Sequence, residues 1–85
     1  PDSPLVLDTI GVLLVSSGDA NKGLEYLARA VALAPDRNDI RLNYAKALVK
    51  AGKKDEARKE LTQLGAVTQD FSGKSEVPAL LKQLQ

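Results

Sequence analysis

Histidine, cysteine, methionine and tryptophan are all absent from this 85-residue chain. Without histidine, the chain lacks the commonest general base and the commonest metal ligand in proteins. Without cysteine, it can form neither disulfides nor thiolate metal sites, and the redox compartment stays open. These absences weigh against catalysis and metal binding before any motif is considered.

A strong charge of either sign is also lacking, because 12 basic and 11 acidic residues leave a net charge of +1. No large electrostatic field therefore favours nucleic acid or an anionic membrane as a partner. The hydrophobic share of 44% and the charged share of 27% are typical of a folded globular chain. The apolar stretch at residues 5–15 is too short to span a bilayer, and Asp8 interrupts it.

The absence of methionine, together with proline at position 1, indicates that the sequence is a processed chain or a segment of a longer protein. We expect the latter. Any targeting sequence or lipid anchor of that parent would then lie outside these residues. The compartment is left open.

The most informative stretch runs from Gly18 to Pro35, with a glycine turn, an amphipathic helix and a terminating proline. Its apolar positions recur at spacings of three and four, which is the pattern of a helix with one buried face. A shift of thirty-four residues places Gly18 on Gly52 and Leu27 on Leu61, and Pro1-Asp2 on Pro35-Asp36. A fixed period with one turn glycine per copy predicts a helical-repeat architecture.

Four helices are predicted, at about 4–17, 20–34, 37–51 and 54–66, followed by a short fifth helix. We expect Asp2 or Ser3 to cap the first helix, Asp36 the third and Ser75 the fifth. The period fails after Val67, so the fifth helix is interpreted as a C-terminal cap. The residues expected to be buried in the second to fourth helices are Leu24, Leu27, Ala30, Val31, Ile40, Tyr44, Ala45, Leu48, Val49, Ala57, Leu61 and Leu64.

The first helix is apolar on nearly every side, and a helix of this kind is normally covered all round. A preceding repeat could cover it, or the helix could form a surface for a partner or for self-association. Its only polar groups before the last turn are Asp8 and Thr9. Ligand grooves usually keep polar groups for specificity, so contact with another repeat or subunit is favoured.

The pattern resembles the tetratricopeptide repeat family. The small residue of its first helix is matched by Gly11 and Ala45, that of its second helix by Gly23 and Ala57, the following large apolar residue by Leu27 and Leu61, and the closing proline by Pro35. Departures are Leu7 and Arg41 at the frequent tryptophan position, and Leu64 where the first copy has Ala30. The resemblance implies an all-α, right-handed α-solenoid fragment: repeat 1 at about 4–37, repeat 2 at about 38–71 and a capping helix at about 75–84.

A narrower resemblance concerns the segments LVLDTIGVLLVSSGD, IRLNYAKALVKAGKKDEARKEL and ALLKQL. Their sequences are similar to the C-terminal end of bacterial tetratricopeptide-repeat proteins of exopolysaccharide export and PEP-CTERM sorting, which are often periplasmic lipoproteins. This resemblance implies a periplasmic or membrane-associated parent. It assigns no activity to any residue.

The family resemblance implies a non-catalytic module without cofactors that binds a protein or peptide in a concave groove, lined by the first helix of each repeat. The candidate partner-binding residues are Leu5, Asp8, Thr9, Val12 and Leu13 in the first repeat, and Asp39, Leu42, Asn43, Lys46 and Lys50 in the second. Asn43 occupies the position of a carboxylate-clamp asparagine, but Asp8 and Val12 replace the other clamp residues, so a carboxylate clamp is rejected. The groove suits a peptide with a hydrophobic anchor and an acidic residue.

The residues also bear on three other functions. The serines have no histidine to activate them and fit capping or loop positions, so no enzyme is expected. The basic residues of the second hairpin are interleaved with acidic ones, which favours a solvated face over a nucleic-acid site. A structural role remains as the alternative: the C-terminal cap of a longer solenoid that self-associates through its apolar first helix.

Overall fold

The computed structural model describes residues 3–85, and within this range the secondary structure is entirely helical. The elements are α1 (Pro4–Ser16), α2 (Ala20–Leu33), α3 (Asn38–Lys50), α4 (Lys54–Gly65), a 3₁₀ turn (Lys74–Glu76) and α5 (Val77–Gln83). Consecutive helices pack against one another, so α1 with α2 and α3 with α4 form two hairpins. The predicted all-α fold is confirmed.

Both hairpins turn in the same way, at the glycines that the sequence pattern singled out. Gly18 has φ 99° and Gly52 has φ 78°, in the left-handed region that residues with a side chain rarely adopt. The amide of Asp19 donates to the Leu14 carbonyl at 2.9 Å, and that of Lys53 to Leu48 at 2.9 Å. This bond closes a helix C-terminus in the Schellman arrangement, so the thirty-four-residue period extends to the turn geometry.

The first hairpin is held together by two glycines that face each other. A Cβ added at Gly23 would lie 2.6 Å from the Gly11 carbonyl oxygen, and one added at Gly11 would lie 2.6 Å from Leu27 Cγ. These distances are shorter than real Cβ contacts, so α1 and α2 approach as closely as their backbones allow. Leu27 fills the space beside this contact and is fully buried.

The second hairpin and the C-terminal segment share one core. Leu42, Ala45 and Leu48 of α3 pack with Ala57, Leu61 and Leu64 of α4, and with Val77 and Leu84 at the two ends of α5. Arg58 Nη2 ties down the chain end by donating to the Leu84 carbonyl at 2.6 Å. Helix α5 therefore covers the second hairpin, as a cap does.

The sequence predicted the position of the α1 cap correctly but not its hydrogen bond, and the predicted caps of α3 and α5 are wrong. Ser3 is the N-cap residue of α1, but its side chain makes no capping hydrogen bond, and Asp2 lies outside the described residues. Helix α3 begins after Arg37 rather than Asp36. Within the helix, Asp39 accepts hydrogen bonds from the Arg37 guanidinium and from the Ile40 amide. Ser75 lies inside the 3₁₀ turn, so Glu76 precedes α5 instead.

The glycine contact generates a stability prediction. Gly23→Ala should lower the free energy of unfolding by about 1–3 kcal/mol, the usual cost of overpacking. The clash with the Gly11 backbone exceeds the ~1 kcal/mol that alanine gains over glycine within a helix. Urea denaturation followed by circular dichroism measures the change.

Gly65→Ala is the matched control, because its added Cβ would lie 3.6 Å from Val77 Cγ1, an ordinary contact. This variant should be as stable as the parent or more so. Equal stabilities for the two variants would contradict a close α1–α2 approach.

Candidate functional site

A groove lies between α1 and α3 and encloses a cavity of about 210 Å³. We call it the α1–α3 groove; its lining residues are Val12, Val15, Ser16, Leu27, Asn43, Lys46, Ala47 and Lys50. Helix periodicity explains the lining, because residues three, four and seven apart share one face. The groove is thus formed by one stripe from each first helix, with α2 beneath.

The floor of the groove is apolar. Leu27 and Ala47 are buried in it, with 0% and 1% of their surfaces exposed. Val12 is 37% exposed and stands at the side of the cavity. Engineered apolar cavities of ~150 Å³ hold a benzene-sized group, so this cavity has room for one large apolar side chain.

The rim of the groove carries polar and charged groups. Asn43 Nδ2 donates to Asp8 Oδ1 at 3.0 Å, which joins α3 to α1. Lys46 Nζ lies 2.8 Å from Glu76 Oε1, an ion pair with the C-terminal segment. Lys50 is exposed, and no acidic side chain of residues 3–85 pairs with it. The positive charge at the rim is therefore concentrated at Lys50.

Four of the ten candidate residues from the sequence meet in this groove: Val12, Asn43, Lys46 and Lys50. Asp8 is beside it through its bond with Asn43. Leu5 and Leu13 are exposed on α1, and Thr9 donates its hydroxyl to the Leu5 carbonyl at 2.9 Å. Asp39 lies at the start of α3, where it pairs with Arg37 at 2.8 Å.

The placement of Leu42 on an accessible groove surface is wrong. Leu42 is 2% exposed and belongs to the core of the second hairpin. The segment before the 3₁₀ turn covers it: a Cβ on Gly73 would lie 2.6 Å from Leu42 Cδ2. Gly73 has φ 87°, so a glycine serves both the backbone conformation and the close approach.

Sequence reasoning missed four lining residues, Val15, Ser16, Leu27 and Ala47. Spacing could have found three of them. Val15 and Ser16 follow Val12 by three and four, and Ala47 follows Asn43 by four, so they share faces with predicted residues. Leu27 belongs to α2, and only packing shows that it reaches the groove.

Three residues of α3 outside the groove lining, Asp39, Arg41 and Tyr44, form ion pairs or have a shifted pKa. The hydrogen bond from the Arg37 guanidinium holds the pKa of Asp39 below its usual range. Burial, followed by the nearby charge of Glu56, raises the pKa of the Tyr44 hydroxyl. Arg41 Nη2 lies 2.9 Å from Glu60 Oε1 and joins α3 to α4. Both ion pairs join residues within the fold, so neither requires a ligand to explain it.

Within residues 3–85, no three His, Cys, Asp or Glu side chains are grouped in a way that could hold a metal ion. The same range contains no helix long and apolar enough to cross a membrane. The groove itself offers a lysine, an amide and a serine hydroxyl around an apolar floor. This arrangement can bind an apolar side chain and an anionic group.

Two stacked hairpins with a covering terminal helix define a helical-repeat protein. A family profile described as "Tetratricopeptide repeat" matches residues 14–84, so the chain belongs to the tetratricopeptide repeat family. No curated protein and no solved structure matches the chain. Repeats of this family are typically non-catalytic and generally mediate protein–protein interaction.

Burial distinguishes two of the candidate leucines. Leu42→Ala should lower the free energy of unfolding by about 2–5 kcal/mol, because it opens a cavity in the core. Leu5→Ala removes the same atoms from a side chain that is 53% exposed. Its cost should stay within about 1 kcal/mol. Urea denaturation of both variants tests this, and similar costs would contradict the burial of Leu42.

The Asp39–Arg37 pair predicts a pH-dependent contribution to stability. Because the folded state lowers the pKa of Asp39 from 3.8, the contribution is fully present above that value and is lost as the pH falls below it. The pair is partly exposed, so Asp39→Asn should cost no more than ~1 kcal/mol at pH 7. The difference from the parent should shrink towards pH 2–3, roughly the range below an ordinary carboxyl pKa.

Urea midpoints measured across that pH range test the prediction. Asp36→Asn, in the connection that precedes α3, controls for the removal of one negative charge from this part of the chain. A cost of Asp39→Asn that does not change with pH would show that the carboxylate charge is not involved.

Proposed function

We propose that this chain is a non-catalytic protein- or peptide-binding module whose ligand occupies the α1–α3 groove. The observation that carries the proposal is an apolar cavity of about 210 Å³ with an exposed lysine at its edge, Lys50, with which no acidic side chain of residues 3–85 pairs. An apolar pocket with a few convergent polar groups is the usual form of a binding site. The division into repeats at about 4–37 and 38–71, with a cap at 75–84, is part of the proposal.

The lining chemistry selects a peptide with one large apolar side chain and a nearby acidic residue. The apolar side chain would rest on Leu27 and Ala47. The acidic group would then face Lys50, which has no acidic partner in the described part of the chain, rather than Lys46, which already pairs with Glu76. Hydrogen bonds between ions of opposite charge are the stronger ones, so Lys50 would orient the peptide.

The opposite end of the groove disfavours an anion. Asn43 donates its amide to Asp8 there, so the donor is engaged and a negative charge is adjacent. A peptide carboxylate would be repelled at this point. The polarity of the rim, with Asp8 at one end and Lys50 at the other, would therefore set the direction of a bound peptide.

Selection of seven-residue peptides from a random phage-displayed library on the parent chain tests the proposal. Enriched sequences should combine a large apolar residue with aspartate or glutamate. Lys50→Ala should weaken binding of a selected peptide about two- to fivefold, as expected for a solvated ion pair of ~1 kcal/mol or less. Val12→Asp should weaken it tenfold or more, roughly the effect of placing a charge in an apolar contact.

Lys59→Ala and Leu33→Asp are the matched controls, because both residues are exposed and lie outside the groove. Neither should change the affinity. Unchanged affinity after alanine substitution of both Lys46 and Lys50 would contradict recognition of an acidic residue. Enriched peptides without a shared apolar residue would contradict the anchor cavity.

The second candidate function is structural, and the exposure of α1 favours it. Leu5, Val6 and Leu13 are 53%, 56% and 63% exposed. Large apolar surfaces of this kind mark interaction sites. The chain would then close the C-terminal end of a longer repeat array, with α5 as the cap, and would self-associate through α1 when nothing else covers it.

A role in bacterial exopolysaccharide export or PEP-CTERM sorting rests on the sequence similarity of three segments alone. The family match identifies the tetratricopeptide repeat but gives no support for a link to those systems. The proposed binding role of the α1–α3 groove does not depend on it. This role therefore stays a hypothesis.

A further inference from the structure

Glu76 brings a carboxylate to the α1–α3 groove, although it belongs to neither repeat. It lies in the 3₁₀ turn that precedes α5, and its Oε1 is 2.8 Å from Lys46 Nζ. Lys46 in turn lines the groove. The chain therefore supplies one of its own groove lysines with an acidic partner.

The segment that carries Glu76 is fixed on both sides. We call residues 71–76 the strap. Phe71 packs against the core of the second hairpin at one end of the strap, and Val77, directly after it, is 1% exposed. The Glu76 amide donates to the Gly73 carbonyl at 2.9 Å. Packing and backbone bonds thus hold the strap, so it should stay in place when Glu76 loses its charge.

Gly73 leaves the room that the Glu76 carboxylate occupies. It has φ 87°, and a Cβ added to it would lie 2.9 Å from Glu76 Oε2 and 2.6 Å from Leu42 Cδ2. Glycine is suited both to this backbone conformation and to close approach on two sides. One carboxylate oxygen of Glu76 therefore lies beside Gly73 while the other pairs with Lys46.

The ion pair leaves Lys46 a poor partner for a ligand, but not a deeply buried one. The side chains of Lys46 and Glu76 are 37% and 51% exposed, and pairs so open to water contribute little. An incoming carboxylate would have to displace Glu76 or lie next to its negative charge. Lys50, one helical turn further on, has no acidic partner within residues 3–85. The strap thus makes two neighbouring lysines unequal.

We infer that Glu76 is a specificity-determining residue, which limits the peptide at the groove to one acidic residue by occupying the anion position at Lys46. The inference rests on the proposed peptide-binding function and names what restricts its ligands. Without the charge of Glu76, the groove would offer two anion positions, at Lys46 and at Lys50.

Helix geometry gives the spacing of the two acidic residues that such a groove would accept. Lys46 and Lys50 are four residues apart, which is about 6 Å along a helix axis. Alternate residues of an extended peptide point to the same side and lie about 6.6 Å apart. The second acidic residue should therefore be two positions from the first.

Parallel selection of seven-residue phage-displayed peptides on the parent and on Glu76→Gln tests the inference. The parent should enrich a large apolar residue with a single acidic one. Glu76→Gln should enrich peptides with two acidic residues separated by one position. Glu25→Gln is the matched control, because it removes the same charge from an exposed residue outside the groove lining. It should select the same peptides as the parent.

Affinities of two selected peptides measure the effect. A doubly acidic peptide should bind Glu76→Gln about two- to fivefold more tightly than the parent, as expected for one more solvated ion pair. A singly acidic peptide should bind both chains equally well. Adding Lys46→Ala to Glu76→Gln should remove the gain, whereas a gain from a loosened strap would not depend on Lys46.

The outcomes separate this inference from the proposed function. A single-acid motif shared by the parent and Glu76→Gln would overturn the inference and leave the peptide-binding function standing. Doubly acidic peptides enriched already on the parent would do the same. Selections that yield no shared motif on any of the chains would overturn the proposed function, and the inference with it.

Discussion

The close approach of α1 and α2 at Gly11 and Gly23 is the constraint on which the rest of the structure depends. It brings the two helices to backbone contact and leaves the adjoining space to Leu27. In the second hairpin the same positions hold Ala45 and Ala57, both fully buried. Small residues at these points give the two hairpins the same helix packing, and the second hairpin packs against the first.

The two ends of this stack are treated differently. At the C-terminal end, Val77 and Leu84 complete a core of eight buried residues. At the other end, Val6 and Leu13 are exposed. A repeat contacts only its neighbours, so the state of each end depends on what is placed against it. The C-terminal end is therefore covered by α5, whereas the exposed side of α1 is not covered within residues 3–85.

The charge pattern of the groove depends on a segment that lies outside the regular repeats. Lys46 and Lys50 look equivalent in the sequence, one turn apart on the same helix face. Glu76 pairs with Lys46 at 2.8 Å, and so the cationic character of the rim falls to Lys50. Charge counted along one helix therefore overstates how many lysines remain for a ligand.

By itself, the sequence determined the turn glycines, the helices and the buried face of α4, because each depends on residues close together in the chain. The period is also visible in the sequence alone, when residues thirty-four apart are compared. The family resemblance had put Val12, Asn43, Lys46 and Lys50 among the candidate residues, and these four line the α1–α3 groove. Only the tertiary structure decided that Leu42 is buried under Gly73, that Lys46 is paired, and that Leu27 reaches the groove. Periodicity shows which residues share a face; what covers that face depends on segments distant in sequence, and here on a C-terminal segment that does not keep the period.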